Sequence, residues 1–247
     1  MSLLGKFRFK QKKDPFDFSI FGTDVHSHLI PGIDDGSQSM EETIGLLQKF
    51  VELGYKKVIT TPHIMADYYK NDSTTILSGL KKVREEIKNI GLPIEIDAAA
   101  EYYYDEFLIS KIKNKEILTF GNNHVLFEFS FNSPPNNIED LIFTLKTNDY
   151  IPVLAHFERY GYFLNEGVEK AKEFREKGVL IQLNLTSLTG HYGKKIMQQA
   201  EALVNENLVD LVGSDCHRMD HLAIMESNKT NQFYHKLGKQ DLLNKRL

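Results

Sequence analysis

Side chains of the types that bind metal ions recur beside the β-rich runs of this 247-residue sequence. His26 and His28 end the first run, and Asp215 and His217 follow the last. In each pair the residues are two positions apart, so on an extended strand both side chains point to the same side. Imidazoles combined with carboxylates suit Zn²⁺, Mn²⁺ or Fe²⁺, whereas Mg²⁺ and Ca²⁺ prefer oxygen ligands. The two motifs therefore predict a transition-metal site.

Further polar side chains of this kind stand in or after the intervening runs. They are Asp34, Asp35, His63, Glu101, Glu128, His156 and Asn184. Glu101 and Glu128 lie in or beside apolar stretches, where an unpaired carboxylate would be costly. Because a carboxylate can bridge two ions, this number of carboxylates indicates more than one ion. Two ions about 3.5–4 Å apart can hold the attacking and the leaving oxygen of a phosphoryl displacement.

The nine histidines divide into two groups. A single histidine is often a hydrogen-bonded core residue, and we interpret His124, His191, His221 and His235 in this way. The other five occur in phase with the strand ends, where scattered surface residues would show no such phase. For these five a metal site is the better interpretation.

The elements that must position these residues alternate regularly along the chain. Strands are expected at 18–25, 57–61, 93–99, 125–129, 152–155, 179–183 and 208–212, and the runs between them are mostly helical. Helix signals include Ser39 with Glu42, a capping box, and Gly54 and Gly91 as stops. This alternation predicts parallel βα units, in a doubly wound sheet or a barrel. In an α/β barrel the site lies at the carboxyl ends of the strands.

Composition excludes several other classes of protein. The sequence is 41% hydrophobic and 26% charged, with a formal net charge of −4, which is ordinary for a globular domain and argues against nucleic-acid binding. No apolar run approaches the length of a membrane span. The single cysteine allows no internal disulfide, so a cytoplasmic protein is expected. We expect a basic tail at residues 1–17, with at most weak contact to a membrane surface, and one domain at 18–247.

The cysteine also bears on mechanism. A cysteine-nucleophile phosphatase needs an arginine six positions after the cysteine, and Leu222 occupies that position after Cys216. Cys216 is therefore expected to be a bystander between two ligand-type residues.

Six stretches carry a resemblance to a known superfamily. They are DVHSHLIPGIDDG at 24–36, TPH at 61–63, AEYY at 100–103, FEF at 127–129, AHFERY at 155–160 and GSDCH at 213–217. Together they resemble the PHP (polymerase and histidinol phosphatase) superfamily, and most closely its CpsB/CapC/YwqE-like tyrosine phosphatases of capsule and exopolysaccharide synthesis. H-x-H alone is a weak signal, but the long first motif with H-x-E-R-Y is specific to this branch.

The resemblance implies an α/β fold, a distorted (β/α)₇ TIM-like barrel, that holds three ions, typically Mn²⁺ with Fe or Zn as substitutes. It assigns one ion to His26, His28, Glu128 and Asp215, a second to Glu101, Glu128 and His156, and a third to Asp35, His63 and His217. It also implies that Arg159 contacts the phosphate. Arg218 is the nearest candidate for a second family arginine but does not stand at the matching position.

The function implied is hydrolysis of protein phosphotyrosine by attack of a metal-bridging hydroxide. Asp34, Asp35 or a histidine would assist the leaving phenolate. The resemblance also implies a partner, a bacterial tyrosine autokinase that regulates polysaccharide synthesis. Aromatic residues after the site-forming strands could line a cleft for the phosphotyrosine ring or pack between loops. They are Tyr68, Tyr69, Tyr102, Tyr103, Tyr104 and Phe131.

Other functions fit part of the pattern. A small-molecule phosphatase acting on a substrate such as histidinol phosphate, or a phosphodiesterase, would use the same ligands. An amidohydrolase also begins with H-x-H but often bridges its metals through a lysine on strand four, where Glu128 stands here. A catalytically silent regulator that binds the kinase would be expected to have lost some of the ligand set.

Overall fold

The computed structural model describes residues 14–247, so the basic residues of the expected tail lie outside the described chain. The packed part of the chain begins before residue 18. Phe16 is buried, and its ring lies 5.4 Å from the ring of Phe18 and 6.0 Å from that of Tyr234. The segment before the first strand is therefore fixed against the C-terminal part of the chain.

The described strands form a parallel sheet curled into a half-barrel. Their bounds are β1 Thr23–Asp24, β2 Lys57–Thr60, β3 His63–Ile64, β4 Glu95–Ala98, β5 Glu101–Tyr103, β6 His124–Glu128, β7 Ile151–Leu154, β8 Leu180–Asn184 and β9 Leu211–Gly213. One sheet has the order β1-β2-β4 and the other β3-β5-β6-β7-β8-β9, with all pairings parallel. A parallel bridge between Ser27 and Cys216 joins the segments that follow β1 and β9.

Two of the expected strands, at 57–61 and 93–99, are each followed after a two-residue break by a further short strand. β2 stops before Thr61 and Pro62, and proline has no N–H with which to continue the ladder. β4 and β5 are likewise separated by two alanines. His63 and Glu101 then open β3 and β5 in register with one another. The breaks therefore bring two expected ligands side by side.

The prediction of a first strand at 18–25 was wrong for the first half of that range. Residues Phe18–Phe21 form a 3₁₀ turn, and only Thr23–Asp24 pair as a strand. The Asp17 side chain accepts a hydrogen bond from the Ser19 N–H and caps the turn, and Gly22 ends it at a φ of +78°. Phe18 and Phe21 are three residues apart, so both rings reach the core from one turn.

Eight described helices surround the strands. Their bounds are α1 Met40–Leu53, α2 Ser73–Ile90, α3 Glu106–Asn114, α4 Ile138–Thr147, α5 Gly167–Glu176, α6 Lys194–Asn205, α7 Met219–Ser227 and α8 Gln232–Gly238. The predicted start and stop of α1 are confirmed, since the Ser39 side chain accepts from the Glu42 N–H and Gly54 is left-handed. The predicted stop of α2 at Gly91 is also confirmed.

The sequence predicted neither α3 nor α7. Asp105 caps α3 by accepting from the Leu108 N–H, and Leu108 and Ile112 form its buried face. After β9 the chain forms α7, α8 and a 3₁₀ turn at Leu243–Arg246. No described helix is both long enough and apolar enough to cross a membrane.

Candidate metal centre

All nine expected metal ligands meet at the carboxyl ends of the strands. His26 and His28 follow β1, Asp35 lies in the next loop, His63 follows β2 and opens the short β3, Glu101 follows β4 and opens the short β5, Glu128 ends β6, His156 follows β7, and Asp215 and His217 follow β9. They come from seven different places in the chain. The parallel topology brings them together because the strands end at one edge.

Glu101 occupies the middle of this cluster. Its fully buried carboxylate has Oε2 at 3.1 Å from His26 Nε2, 3.4 Å from His28 Nε2 and 3.3 Å from His63 Nδ1. Its Oε1 lies 3.0 Å from His156 Nε2. One carboxylate thus contacts four imidazoles, which is the arrangement expected of a group that could bridge ions.

The ligand atoms form four overlapping groups, and within each group all the atoms lie within 4.8 Å of one another. They are His28 with Asp35, His63 and His217; His26 with His28 and Glu101; His26 with His156 and Asp215; and His63 with Glu101 and Glu128. The three residues expected for the third ion thus share one group, together with His28. Glu128 groups with His63 and Glu101, and its Oε2 lies 3.6 Å from His156 Nε2.

The chemistry of this set fits a cluster of transition-metal ions. The buried His28 Nε2 and His63 Nδ1 have no hydrogen-bond partner among the described residues, and such an unpaired atom costs about 1–3 kcal/mol. Burial, together with the charges of Glu101 and Asp215, raises the pKa of Glu128 well above its ordinary value. Cations between these carboxylates would relieve their repulsion and satisfy the imidazole nitrogens.

Asp34 stands behind the ligands, away from the cleft. Its carboxylate accepts from His28 Nδ1 at 2.8 Å, from the His63 N–H at 3.0 Å and from the Gly36 N–H at 3.0 Å. Burial tends to raise its pKa, but His28 outweighs burial and holds the pKa at about 2. Asp34 therefore fixes the ring of His28 with Nε2 facing the cluster, while the neighbouring Asp35 borders the cleft.

Two amides on β8 hold further ligands. Gln182 Oε1 lies 3.0 Å from His26 Nδ1 and accepts from the His156 N–H at 2.9 Å. Gln182 Nε2 donates to Asn184 Oδ1, and Asn184 Nδ2 donates to Asp215 Oδ2 at 2.7 Å. The position of Asn184 at a strand end was predicted from the sequence, and that of Gln182 was not. The spacing could have indicated Gln182, because two amide side chains at positions i and i+2 of a strand point to the same side.

An open cleft of about 700 Å³ leads to the cluster. Tyr68, Tyr69, Tyr103 and Phe131 line it together with Arg159 and Arg218. Tyr102 is instead a core residue whose hydroxyl accepts from the Leu118 N–H. The expected aromatic set is thus divided between the cleft and the packing of the domain.

The four histidines interpreted as hydrogen-bonded core residues also fall into two groups, by whether they line the cleft. His191 and His221 line the cleft, and His221 Nδ1 lies 2.9 Å from the Asp215 carbonyl oxygen. His124 bonds to the Phe120 carbonyl and His235 packs on Phe16, both away from the cleft.

Cys216 lies between two expected ligands but is fully buried. Burial raises the pKa of its thiol well above the ordinary value, and the charges of Asp24 and Asp215 add to that effect. The thiolate that a cysteine mechanism requires is therefore disfavoured.

Comparison with known families identifies the chain. Residues 22–243 match the family model described as capsular polysaccharide synthesis, CpsB/CapC. The chain belongs to the CpsB/CapC family. It is 29% identical to CapC of Staphylococcus aureus over 238 residues, which are 91% of this chain and 92% of CapC. It is 27% identical to YwqE of Bacillus subtilis, named a tyrosine-protein phosphatase, over 79% of this chain and 77% of YwqE.

A solved structure agrees with this membership in the CpsB/CapC family. The structure comes from work on YwqE of Bacillus subtilis and CpsB of Streptococcus pneumoniae, described there as metal-dependent tyrosine phosphatases. It superposes with a TM-score of 0.79 at 25% identity, over 89% of this chain and 88% of the other. The half-barrel and the cluster at its edge are thus built on the fold of that family.

Proposed function

We propose that this protein is a metal-dependent phosphatase that removes phosphate from phosphotyrosine in a protein substrate. The observation that carries the proposal is the cluster of imidazoles and carboxylates at the floor of an open cleft, with Arg159 at its side. Relatives over most of the chain are named tyrosine-protein phosphatases, which supports the same activity.

We propose that the cluster holds three ions, with Mn²⁺ as the native metal and Fe or Zn as possible substitutes. The ligands are His26, His28, Asp35, His63, Glu101, Glu128, His156, Asp215 and His217. When bound, such ions supply Lewis acidity and a water whose pKa is lowered toward neutrality. The remaining chemistry falls to the protein's own groups.

The proposed reaction forms a bond from water oxygen to phosphorus and breaks the bond from phosphorus to the phenolic oxygen. Arg159 holds the phosphoryl oxygens and offsets the charge that they carry in the transition state. A proton must reach the leaving phenolate. Asp34 lies behind His28, and Asp35 borders the cleft but is itself a proposed metal ligand, whose pKa is lowered because His217 and His63 outweigh its partial burial. A histidine at the cleft, such as His191, is therefore the better proton donor.

Two further features of the proposal concern the fold and the partner. The Asp215 N–H donates to the His26 carbonyl and the His28 N–H to the Cys216 carbonyl, which supports closure of the strands into a distorted (β/α)₇ barrel. The family's link to capsular polysaccharide synthesis supports a tyrosine autokinase of that pathway as the substrate.

The test compares substrates on protein stripped with EDTA and then reloaded with Mn²⁺. We expect no turnover without metal, restored turnover with Mn²⁺, and a phosphotyrosine peptide hydrolysed faster than histidinol phosphate. Faster hydrolysis of histidinol phosphate would favour the small-molecule alternative. Full activity after stripping, with metal absence verified by elemental analysis, would refute the metal mechanism.

Variants sharpen this test. His26→Ala should lower turnover by at least about 100-fold because it removes a ligand. The matched control is His235→Ala, which removes a histidine away from the cleft. Cys216→Ser should keep most of the activity, since the thiol has no role in the proposed reaction.

A further inference from the structure

The Arg159 side chain lies between two aromatic rings at the wall of the cleft. Its guanidinium carbon is 4.6 Å from the centre of the Phe131 ring and 4.3 Å from the centre of the Tyr192 ring. In addition, Nη1 donates to Asp215 Oδ2 at 2.8 Å. The guanidinium thus lies over two aromatic rings and is hydrogen-bonded through one nitrogen.

The Phe131 ring is fixed by a short stack of aromatic residues. It stacks on Tyr160 at a centroid distance of 5.5 Å and an interplanar angle of 26°, and Tyr160 stacks in turn on Tyr162 at 5.6 Å. The Tyr160 hydroxyl accepts from the Phe129 N–H, and the Tyr162 hydroxyl donates to the Ser130 carbonyl, both at 3.0 Å. Two hydroxyls therefore hold the backbone just before Phe131.

On the other side, Tyr192 lies in a tight turn. The Gly193 N–H donates to the Gly190 carbonyl at 2.9 Å, and these glycines have φ values of +97° and +85°, which side-chain-bearing residues rarely adopt. The 3₁₀ turn Leu185–Thr189 comes directly before, and Ser187 Oγ donates to Glu158 Oε1. Glu158 precedes Arg159, so one buried contact ties the Tyr192 loop to the arginine's own segment.

We propose that Phe131 and Tyr192 are positioning residues that fix the plane of the Arg159 guanidinium for phosphate. This inference rests on the proposed function, because it assigns Arg159 to the phosphoryl group. A guanidinium binds phosphate best through two parallel N–H groups in its plane. With two rings packed against the guanidinium and Nη1 bound to Asp215, the remaining N–H groups can bind phosphate with little rotamer entropy left to lose.

The two rings also act electrostatically. A cation over the face of an aromatic ring is attracted by the negative charge of that face, and the attraction is stronger where both groups are desolvated. Replacing one ring by leucine keeps apolar volume but removes this interaction and the flat surface. The loss should appear as weaker binding of phosphate, with metal content unchanged.

The experiment measures the dissociation constant of inorganic phosphate by calorimetry on Mn²⁺-loaded protein. We expect Tyr192→Leu and Phe131→Leu each to weaken phosphate binding by about 3- to 30-fold. Tyr192→Phe and Phe131→Tyr keep a ring and should bind phosphate within about twofold of the wild type. Unchanged affinity in both leucine variants would overturn the inference, as would equal losses in the ring-preserving variants.

A double-mutant cycle separates positioning from general structural damage. In an Arg159→Ala background, Tyr192→Leu should cause no further loss of phosphate affinity, because the group it positions is gone. An equal loss in both backgrounds would overturn the inference. The cycle measures binding and needs no turnover. If the wild-type protein bound phosphate but did not hydrolyse phosphotyrosine, the proposed function would be refuted. The cycle would still decide the role of the two rings.

Discussion

At the scale of single residues, two neighbouring carboxylates have different surroundings and therefore different roles. Asp34 accepts three hydrogen bonds behind the cluster, and Asp35 borders the cleft. The sequence marked both as acidic residues near a metal motif and left their roles open. The spacing of the two residues in sequence could not distinguish their roles. The direction in which each side chain points depends on the path of the loop, which is set by the hydrogen bonds of Asp34 to the Gly36 N–H and to β3.

The first prediction concerns Asp34→Asn. The amide retains an acceptor oxygen but loses the charge that holds His28, so His28 should bind metal less well. We expect about a 10- to 100-fold loss of Mn²⁺ affinity, the usual effect of removing a group that orients a ligand. Titration of metal-free protein with Mn²⁺ measures it.

The control for this variant is Asp72→Asn, at the cap of α2 and exposed to solvent. Asparagine also caps helices well, so Mn²⁺ affinity should not change. If Asp34→Asn bound Mn²⁺ as tightly as this control does, the orienting role of Asp34 would be wrong.

At the scale of elements, alternation of strand and helix was predictable because the buried runs and the helical stripes have different periods. The short breaks after β2 and β4 were harder to predict. Pro62 marks a break in sequence, but nothing local marks the break between β4 and β5, which arises from how the sheet curls. The 3₁₀ turn at Phe18–Phe21 was missed because a run of aromatic and β-branched residues favours a strand until the Asp17 cap is recognised.

The second prediction concerns the fit of β9 against β1. A Cβ added at Gly213 would collide with the His26 side chain and with the Gln182 amide. Gly213→Ala should therefore push His26 out of place, lowering Mn²⁺ affinity and destabilising the fold by about 1–3 kcal/mol. Urea unfolding and Mn²⁺ titration measure the two effects.

Gly45→Ala is the matched control. Gly45 lies inside α1, where the nearest atom to an added Cβ is 3.9 Å away. Alanine favours a helix interior over glycine, so this variant should gain up to about 1 kcal/mol without a change in Mn²⁺ affinity. Equal behaviour of the two variants would show that close packing at Gly213 does not position His26.

At the scale of the whole molecule, the ligands of the first and last strands meet because β1 and β9 are held side by side, in part by the chain that follows β9. Asn244 does this from the last described turn. Its Nδ2 donates to the Thr23 carbonyl at 2.9 Å and to the Val212 carbonyl at 2.7 Å, and its Oδ1 accepts from the Val212 N–H at 2.9 Å. One buried amide thus links β1 to β9.

The third prediction is that Asn244→Ala lowers the free energy of unfolding by about 3 kcal/mol, because three backbone groups lose buried partners. Denaturant unfolding measures it. Asn228→Ala, which removes a side chain bonded mainly within α7, should cost less than about 1 kcal/mol. Similar costs for the two variants would mean that Asn244 does not join the strands.

The last prediction links metal to the stability of the molecule as a whole. An ion that binds only the folded protein raises the free energy of unfolding, by about 2.7 kcal/mol at 100 times its dissociation constant. Imidazoles must be neutral to bind it, so protons compete. Burial alone would lower the pKa of His28, but Asp34 and Glu101 outweigh burial and hold it well above the ordinary value. The pKa of His26 is also raised, since Glu101 and Asp215 outweigh its burial.

The sign of the pH dependence follows from these raised pKa values. Without metal, the two charged imidazoles stabilise the fold fully below their unfolded pKa of about 6.5, and this contribution is lost as the pH rises through the folded pKa. Metal binding instead strengthens over the same range. The increase in Tm caused by saturating Mn²⁺ should therefore be larger at pH 8 than at pH 6, measured by thermal unfolding with and without EDTA. An equal increase at both pH values would mean that the ions do not displace protons from these histidines.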